Sequence, residues 1–379
     1  MSVEGRGSAP RIVLYGATGF TGRLVAEALL ARGAAIALAG RSAAKLRARG
    51  AELGGDIPTV AAGLDDHAAL TAAFRGGRVV INCAGPFAVT GAPVLRAAAA
   101  AGAHYLDTTG EQDWIREVFE EHDAMLRAAG TVAAPGMAFS HTPGDLLCHL
   151  VGRSVEPVRR LVLAYHVEGF QMSRGTVHSS LEQLNGLDVA YEHGRWVAGG
   201  ERPRRDRYRF PASIGPRLVA RYPTGEVITV PRHVACDEVA ARISTVSIAP
   251  RLVAPVVPFV TPLLGRLLRS RAKPLLERAI SALPEGPGEQ GRGRVRWTIA
   301  VDAVGRDGRA AHGVGRGPDI YGLTAVSIAE AALQMAAPGY AVTGAAAPAQ
   351  AVDAEAFLRV LEPFGVRWDV QSDPAFQQA

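Results

Sequence analysis

The sequence predicts an α/β protein in which a doubly wound parallel sheet is followed by an α+β domain with an antiparallel sheet. Short β-branched runs alternate with Ala/Leu/Arg stretches of helical period from residue 11 onward, which is typical of βαβ units. This rhythm ends at Pro135-Gly136, and beyond residue 195 the apolar runs are broken by Gly and Pro. With 379 residues and 48% hydrophobic residues, the chain can bury the cores of two domains.

The first domain is predicted to span residues 1–145. Its strands are expected at 11–15, 35–39, 59–61, 79–83, 104–107 and 131–134. The helices between them are expected at 22–31, 43–53, 66–74, 92–101 and 112–128. Six strands joined by crossover helices form a complete doubly wound sheet, whose ligands bind at the carboxyl ends of the strands.

The second domain is predicted to span residues 146–318, and a segment 319–379 is expected to return to the first domain. Helices are expected near 144–151 and 176–187, with a strand at 160–167. Several antiparallel strands are expected within 195–257, followed by an amphipathic helical region at 259–283 and a loop at 284–294. The last predicted elements are a strand at 294–304 and a long helix at 321–336.

Composition argues against a nucleic-acid partner and against a metal site. The net charge is +5, but only Lys45 and Lys273 are Lys among 41 basic residues, and Ala and Gly are abundant. This bias is typical of genome-wide base composition rather than of a binding surface. Cys83, Cys148 and Cys236 are odd in number and widely separated, which indicates a reducing compartment and neither a disulfide framework nor a metal ligand set.

The sequence predicts a cytoplasmic location. Residues 1–10 are polar and Gly-rich and lack the apolar core of a signal peptide. The long apolar run at 252–264 contains three prolines and is too short to span a bilayer. A weak contact of this segment with a membrane surface stays open as an alternative.

The loop after the first strand carries a dinucleotide-binding pattern. Its glycines, Gly16, Gly19 and Gly22, are spaced for a tight turn, close approach to a pyrophosphate and helix-on-strand packing. The free N–H groups and dipole of the following helix favour an anion. A plain Gly-rich turn is the alternative, but the loop lies between a predicted strand and helix, so the first domain is predicted to be Rossmann-type. The predicted cofactor residues of the loop are Gly16, Thr18, Gly19, Phe20, Thr21 and Gly22.

The end of the second strand favours NADP(H) over NAD(H). An NAD site usually has an acidic residue here to bind the ribose 2′-hydroxyl, whereas this chain has Arg41, Ser42 and then Lys45. A cation can neutralise a 2′-phosphate, and an Arg can also stack on adenine. The alternative is that Arg41 and Lys45 are ordinary surface residues. Asp65 is expected either to meet the adenine amino group or to cap the helix at 66–74.

The ends of the fourth and fifth strands complete the predicted cofactor site. Small residues follow the fourth strand and would let a cofactor lie against the backbone, and polar residues follow the fifth. The residues expected to contact the cofactor there are Ala84, Gly85, Pro86, Phe87, Asp107 and Gly110.

Taken together, these motifs resemble the saccharopine dehydrogenase-like oxidoreductases, and within them the trans-acting enoyl reductase branch. Short-chain dehydrogenases are excluded because neither Lys follows a Tyr at their catalytic spacing. The resemblance is strong over the first 145 residues and looser between residues 195 and 294. It is carried by the segments 16–22, 39–42, 82–87 with Gly91, 102–111, 173–176 and 320–325.

The resemblance implies an NADPH-dependent oxidoreductase that reduces an enoyl C=C bond of a lipid or polyketide intermediate, in lipid or secondary metabolism. Two alternatives stay open. One is an imine or amino-acid reductase of the saccharopine type, which would gather several Arg on substrate carboxylates. The other is a catalytically silent NADP-binding scaffold, in which the second domain would leave no room over the nicotinamide.

The expected position of the nicotinamide suggests the reactive groups. Enoyl reduction needs a donor for the developing enolate and a proton for the α-carbon. The predicted catalytic residues are Tyr105, His141, Arg174 and His178. His141 could instead be a loop histidine, Arg174 a solvated residue, and Asp145 a helix cap or a partner of the helix dipole. The wider set of groups expected near the nicotinamide adds Asp107, Glu111, Thr142, Asp145 and Thr176.

The substrate is expected to be a small molecule or an acyl group bound to a carrier protein. The basic stretch 201–209 could dock an acidic carrier, or it could be a solvated edge strand. The segment 253–268 could form a lid over a greasy substrate, or it could pack into the second domain. A homodimer through the antiparallel sheet also stays open.

Overall fold

The computed structural model describes residues 11–185, 189–198, 206–248 and 284–373. Two sheets organise these residues. The strands of the first sheet are β1 (Arg11–Tyr15), β2 (Ile36–Gly40), β3 (Thr59–Ala61), β4 (Gly77–Asn82), β5 (His104–Asp107) and β6 (Val132–Ala134). The strands that follow are β7 (Val158–Glu168), β8 (Val189–Glu192), β9 (Arg195–Ala198), β10 (Asp206–Arg209), β11 (Pro216–Arg221), β12 (Val239–Ser244), β13 (Arg296–Gly305), β14 (Ala310–Pro318), β15 (Gly344–Ala345) and β16 (Arg367–Asp373).

Helices connect and cover the strands. Those of the first 153 residues are α1 (Phe20–Leu30), α2 (Ala43–Glu52), α3 (His67–Phe74), α4 (Phe87–Ala100), α5 (Gln112–Glu117), α6 (Asp123–Ala129) and α7 (Thr142–Arg153), with a π-helical turn at Val118–His122. The later helices are α8 (Arg174–Asn185), α9 (Glu226–Thr229), α10 (Thr245–Ile248), α11 (Glu289–Gly293), α12 (Ile320–Ala336), α13 (Pro348–Ala351) and α14 (Ala354–Leu361), with 3₁₀ turns at Val230–Arg232 and Glu362–Phe364.

The first sheet is parallel throughout and has the order β15-β6-β5-β4-β1-β2-β3. The order in which successive strands are added to the sheet reverses between β1 and β4. This is the switch point where ligands of doubly wound sheets bind. Every residue of β2, β5 and β6 is buried, because helices cover both faces of a parallel sheet. The predicted doubly wound parallel sheet is confirmed.

The second sheet is mixed rather than purely antiparallel. Its order is β10-β11-β12-β7-β13-β14-β16, and β8 joins β12 to β9. The pair β7 and β12 is parallel, while the other pairs are antiparallel. Within the described residues, β10 lies at one edge, so the end of the basic stretch at Asp206–Arg209 is an edge strand. The rest of that stretch, 201–205, and the predicted lid at 253–268 lie outside the described residues, as does the helical region at 259–283.

The segment predicted at 319–379 divides between the two sheets. Helix α12 packs against α1 and β4, and Arg32, just after α1, pairs with Glu330 of α12 at 2.6 Å. Strand β15 extends the first sheet beside β6. Strand β16, however, pairs with β14 in the second sheet, so the prediction that the whole tail returns to the first domain is wrong for Arg367–Asp373. One hydrophobic core runs from β1 through α12 and α7 into the second sheet.

Three local predictions need correction. Helix α4 begins at Phe87, five residues before its predicted start, because Glu111 satisfies the first backbone N–H groups of this helix. The predicted loop at 284–294 contains α11. Strands β14 and β16 were not predicted, since the glycines of 313–317 concealed the alternation of β14.

Gly91 in α4 packs directly against the indole of Trp114. A Cβ at this position would overlap the indole ring, which is 1% exposed and held by a 2.7 Å bond from its Nε1 to Asp107. Replacing Gly91 with Ala is expected to destabilise the fold by about 1–3 kcal/mol, because the rigid ring cannot retreat. Urea unfolding monitored by circular dichroism measures this loss.

The control is Gly63→Ala, where a Cβ would meet no atom within 4 Å. Its free energy of unfolding should change by less than about 0.5 kcal/mol. Equal stability of the two variants would contradict the packing argument.

Candidate active site

The glycine loop between β1 and α1 is shaped by close backbone approach. Gly16 has φ of +85°, a conformation that favours glycine, and a Cβ there would lie 2.7 Å from the backbone nitrogen of Ala84. A Cβ on Gly22 would overlap the carbonyl oxygen of Gly16 and lie 2.9 Å from the Cα of Ala17. Both positions therefore need glycine for the strand, the loop and the helix to meet.

The N-termini of α1 and α4 differ in how they are capped. Gly19 is the N-cap of α1, where no side chain caps the helix and no acidic residue lies in the first turn. The N-terminus of α4 is occupied by the Glu111 carboxylate, which accepts bonds from the backbone nitrogens of Phe87 at 2.9 Å and Ala88 at 2.8 Å. The N-terminus of α1 thus offers its N–H groups and dipole to an external anion, whereas α4 already has an internal one.

The predicted cations lie beside the glycine loop. Arg41 and Lys45 are exposed, and Ser42 caps α2. Sequence reasoning missed Arg49, whose guanidinium lies 3.4 Å from the carbonyl oxygen of Thr18; its i+4 spacing from Lys45 was the available signal.

Asp66, the neighbour of Asp65, provides the N-cap of α3 that was one of the two predicted roles of Asp65. Asp66 caps α3 by accepting a 2.9 Å bond from the backbone nitrogen of Ala69. Asp65 is exposed, and the cap alternative that was considered for it is wrong.

A cavity of about 230 Å³ opens between the first sheet and the second domain. Its lining is mainly apolar and includes four predicted cofactor residues, Thr21, Gly85, Phe87 and Gly110. The wall contributed by the second domain and α12 includes Phe139, Tyr165, Val167, Phe170, Thr176, Ser179, Tyr222, Ile243, Tyr321 and Thr324. The cavity lies where both sequence motifs and fold place a ligand.

Tyr105 and Asp107 are structural residues and do not line the cavity. Asp107 is fully buried and accepts bonds from the Tyr105 hydroxyl, from Trp114 Nε1 and from the backbone nitrogens of Thr109 and Gly136. Burial raises the pKa of Asp107, although these four bonds partly offset it. The structure therefore gives no support to the catalytic prediction for Tyr105 or to the cofactor prediction for Asp107, because neither side chain lines the cavity.

His141 and Asp145 belong to a buried charged cluster behind the cavity. His141 is fully buried, and its Nδ1 lies 3.2 Å from Oε2 of Glu226. Asp145 accepts bonds from Thr229, from His233 and from the backbone nitrogen of Ala349. His141 is thus neither a cavity-facing group nor a solvated loop residue, and Asp145 is not an N-cap, a position that His141 holds.

The two predicted residues on α8 lie outside the cavity wall. Arg174 is half-buried, with its guanidinium 3.7 Å from the carboxylate of Glu285, and His178 is half-buried on the same helix. The residues of α8 that do line the cavity are Gly175, Thr176 and Ser179. Ser179 donates a 3.0 Å bond to Glu111, which joins α8 to the start of α4.

Three tyrosines of the cavity wall were missed by sequence reasoning. Tyr165 donates its hydroxyl hydrogen to Glu226, and its ring packs edge-on against Tyr222 at 5.4 Å. Tyr321 lies in the first turn of α12, and its hydroxyl lies 3.0 Å from that of Thr176 and accepts from the backbone nitrogen of Ser173. Only the Tyr321 segment gave a signal, because its motif belonged to the resemblance.

Comparison with known proteins shows which family the first domain resembles. Residues 12–134 match the family described as saccharopine dehydrogenase NADP binding domain. Over these residues the first domain is similar to a saccharopine dehydrogenase NADP-binding domain. The match confirms the predicted NADP(H) cofactor and the predicted resemblance.

Curated relatives and a solved structure agree with this. The chain is 38% identical over 149 residues to a trans-acting enoyl reductase of Mycobacterium leprae, and 38% identical over 151 residues to one of Mycobacterium tuberculosis. Each match covers 38% of this chain and 36% of the relative, about a third of the relative's length. Apo saccharopine dehydrogenase (L-Glu forming) of Saccharomyces cerevisiae shares the fold, with a TM-score of 0.60 and 12% identity over 96% of this chain and 100% of that chain.

The residues of the NADP-binding domain fit NADP(H). The uncapped N-terminus of α1 suits the pyrophosphate, and the exposed Arg41 and Lys45 suit the 2′-phosphate. Because Gly16 has no side chain and packs closely against Ala84, this part of the predicted cofactor site is lined by backbone.

Replacing Gly22 with Ala is expected to lower NADPH affinity at least ten-fold. The new Cβ would overlap the carbonyl oxygen of Gly16, so α1 and the glycine loop must separate and the N–H groups lose their alignment. NADPH fluorescence titration measures the change. Gly63→Ala serves as the control, and unchanged affinity in the Gly22 variant would contradict the assignment of this loop.

Proposed function

We propose that this protein is an NADPH-dependent reductase that reduces an enoyl C=C bond of a lipid or polyketide intermediate. The observation that carries the proposal is the mainly apolar cavity at the carboxyl edge of the NADP-binding sheet. The names of the mycobacterial relatives support the choice of bond. When bound, NADPH supplies a hydride to an activated substrate carbon.

The cavity lining favours an acyl substrate over an amino acid. Among the described residues that line the cavity, none is Arg or Lys. A site for saccharopine-type substrates would need cations converging on carboxylates, because a buried carboxylate without a partner is costly. Rings and aliphatic side chains such as Phe139, Val167 and Ile243 instead suit an acyl chain.

The cavity also argues against a silent scaffold. The described residues of the second domain leave an open space over the edge of the first sheet instead of filling it. The hydroxyl group of Thr176 lies on the wall beside the hydroxyl groups of Ser173 and Tyr321 and can donate to the carbonyl oxygen of a substrate. The lining therefore combines an apolar body with a few polar groups, as small-molecule sites do.

A substrate panel tests the proposal. Purified protein is titrated with NADPH and then mixed with 2-enoyl thioesters of increasing chain length and with cyclic imines, while NADPH absorbance is followed. We expect turnover of the thioesters, rising with chain length until the cavity is filled, and none of the imines. Turnover of imines alone, or tight NADPH binding without turnover of either class, would contradict the proposal.

Replacing Arg41 with Ala is expected to weaken NADPH binding ten- to hundred-fold, about 1.4–2.8 kcal/mol, and to leave NADH binding within two-fold. Only NADPH carries the 2′-phosphate that Arg41 neutralises. The matched control is Arg75→Ala, an exposed Arg at the C-cap of α3, at the opposite edge of the sheet. Equal losses for NADPH and NADH would contradict the role of Arg41.

A further inference from the structure

A line of polar side chains runs from the wall of the cavity through the protein interior, and the function proposed above leaves most of it unused. It crosses from the second sheet through α9 and α7. Five of its seven members are buried, and the last two, His233 and His149, are half-buried. The polar line comprises, in order, Tyr165, Glu226, His141, Thr229, Asp145, His233 and His149.

The inner half of the polar line joins the cavity to a histidine. Tyr165 lines the cavity and donates its hydroxyl hydrogen to Oε1 of Glu226. The other carboxylate oxygen, Oε2, accepts from the Thr224 hydroxyl and lies 3.2 Å from His141 Nδ1. This last contact is short enough for an ion pair but does not have the geometry of a hydrogen bond, so Nδ1 has no hydrogen-bond acceptor in this structure.

The outer half continues from the histidine to the surface. His141 Nε2 lies 3.3 Å from the hydroxyl oxygen of Thr229, which in turn donates a 2.6 Å bond to Oδ2 of Asp145. The same Oδ2 lies 3.0 Å from His233 Nε2. The Nδ1 atoms of His233 and His149 are 3.1 Å apart, and half-buried His149 is the last member.

Three glycines fix the inner members in place. A Cβ on Gly136 would lie 2.7 Å from the His141 ring, and a Cβ on Gly225 would lie 2.8 Å from its Nδ1. A Cβ on Gly144 would overlap both the Tyr165 hydroxyl and the Glu226 carboxylate. The backbone therefore touches the polar line from three segments, and the side chains have little freedom to separate.

Neighbouring charges in the polar line shift one another's pKa values. Burial acts to lower the pKa of His141, but the Glu226 carboxylate beside it, with Asp145 and Asp107, raises the pKa above the ordinary value. Burial raises the pKa of Glu226, against the bonds from His141 and Tyr165. Burial also acts to raise the pKa of Asp145, yet His233 and His141 hold it far below its usual range. Cys148 and Tyr222 are the other titratable groups facing Glu226.

We propose that Tyr165 is the proton donor at the cavity and that the buried pair of Glu226 and His141 stores the proton that replaces it. This proposal rests on the proposed enoyl reduction. The Tyr165 hydroxyl turns from Glu226 to the substrate, and its O–H bond breaks as a C–H bond forms at the carbon next to the carbonyl. Bound NADPH would supply the hydride for the β-carbon, so that the C=C bond becomes a single bond. The phenolate then takes a proton from the Glu226–His141 pair, and the pair regains one from solvent through His233 and His149.

The stored proton is tested without any substrate. Full-length protein labelled with ¹⁵N-histidine is titrated by NMR between pH 5 and 9, with His141→Gln used to assign the signal. We expect both ring nitrogens of His141 to be protonated at pH 7, and Glu226→Gln to lower the pKa of His141 by more than one unit. Asp302→Asn, in a half-buried tyrosine–carboxylate pair elsewhere, should leave it unchanged. A neutral His141 at pH 7 in the wild-type protein would overturn the proposal.

The donor is tested by turnover of whichever thioester the wild-type protein reduces. Tyr165→Phe is expected to lower kcat at least 100-fold and to leave the KM for NADPH within two-fold, as loss of a general acid does. The matched control is Tyr208→Phe, which also removes a hydroxyl bonded to a carboxylate but lies away from the cavity. It should keep kcat within two-fold.

The pH profile separates proton storage from a structural role. Because activity needs protonated His141, kcat should fall as pH rises through the pKa of that group. Glu226→Gln lowers this pKa, so the fall should move to lower pH by the shift that NMR records. A profile that stays in place, or a Tyr165→Phe variant that retains its kcat, would overturn the relay. Absence of thioester turnover in the wild type would instead count against the proposed function, and the NMR titration would still decide the proton store.

Discussion

The carboxylate of Asp107 holds together the end of the parallel sheet from which the cavity is built. It ends β5 and is buried completely, where an unpaired charge would cost several kcal/mol. Four donors satisfy it, two from side chains and two from backbone nitrogens. The bond from Gly136 fixes the turn after β6, and the bond from Trp114 places the indole against Gly91 of α4. Removing one partner would leave a buried charge uncompensated, so the site depends on all of them together.

A second carboxylate acts at the same edge of the sheet. Glu111 caps α4 and also accepts from Ser179 of α8, so it joins the NADP-binding domain to the wall of the second domain. Because Glu111 already caps α4, α1 is the helix at this edge of the sheet whose N-terminus is left open to an external anion. The loop after β1 therefore leads into a helix whose N-terminus is open to an anion, whereas the loop after β4 leads into a helix that Glu111 already caps.

The first domain was largely predictable because its signals are local. The glycine spacing, the cations after β2 and the alternation of strands and helices each depend on residues close in sequence, and the fold class and cofactor followed from them. The catalytic candidates were chosen by expected position, which does not show what each side chain faces. Tyr105 lies within β5 and His141 after β6, near the edge of the sheet where ligands bind, but Tyr105 bonds to the buried Asp107 and His141 pairs with the buried Glu226.

The second domain shows why the remaining site could not be read from the sequence. Tyr165 and Glu226 are separated by sixty-one positions, and neither belongs to a motif. Their contact depends on the parallel pairing of β7 with β12, which the expectation of an antiparallel sheet did not include. Gly144, Gly225 and Gly136 gave no sequence signal of their role, because they are needed for packing against side chains that are distant in the chain.

A crystal structure of the full chain with NADP⁺ would test the account most directly. The account predicts that the pyrophosphate lies on the N-terminus of α1, the 2′-phosphate on Arg41, and the nicotinamide ring inside the cavity on the side lined by Thr108 and Gly110. A nicotinamide outside the cavity, or a cofactor bound away from the glycine loop, would contradict it.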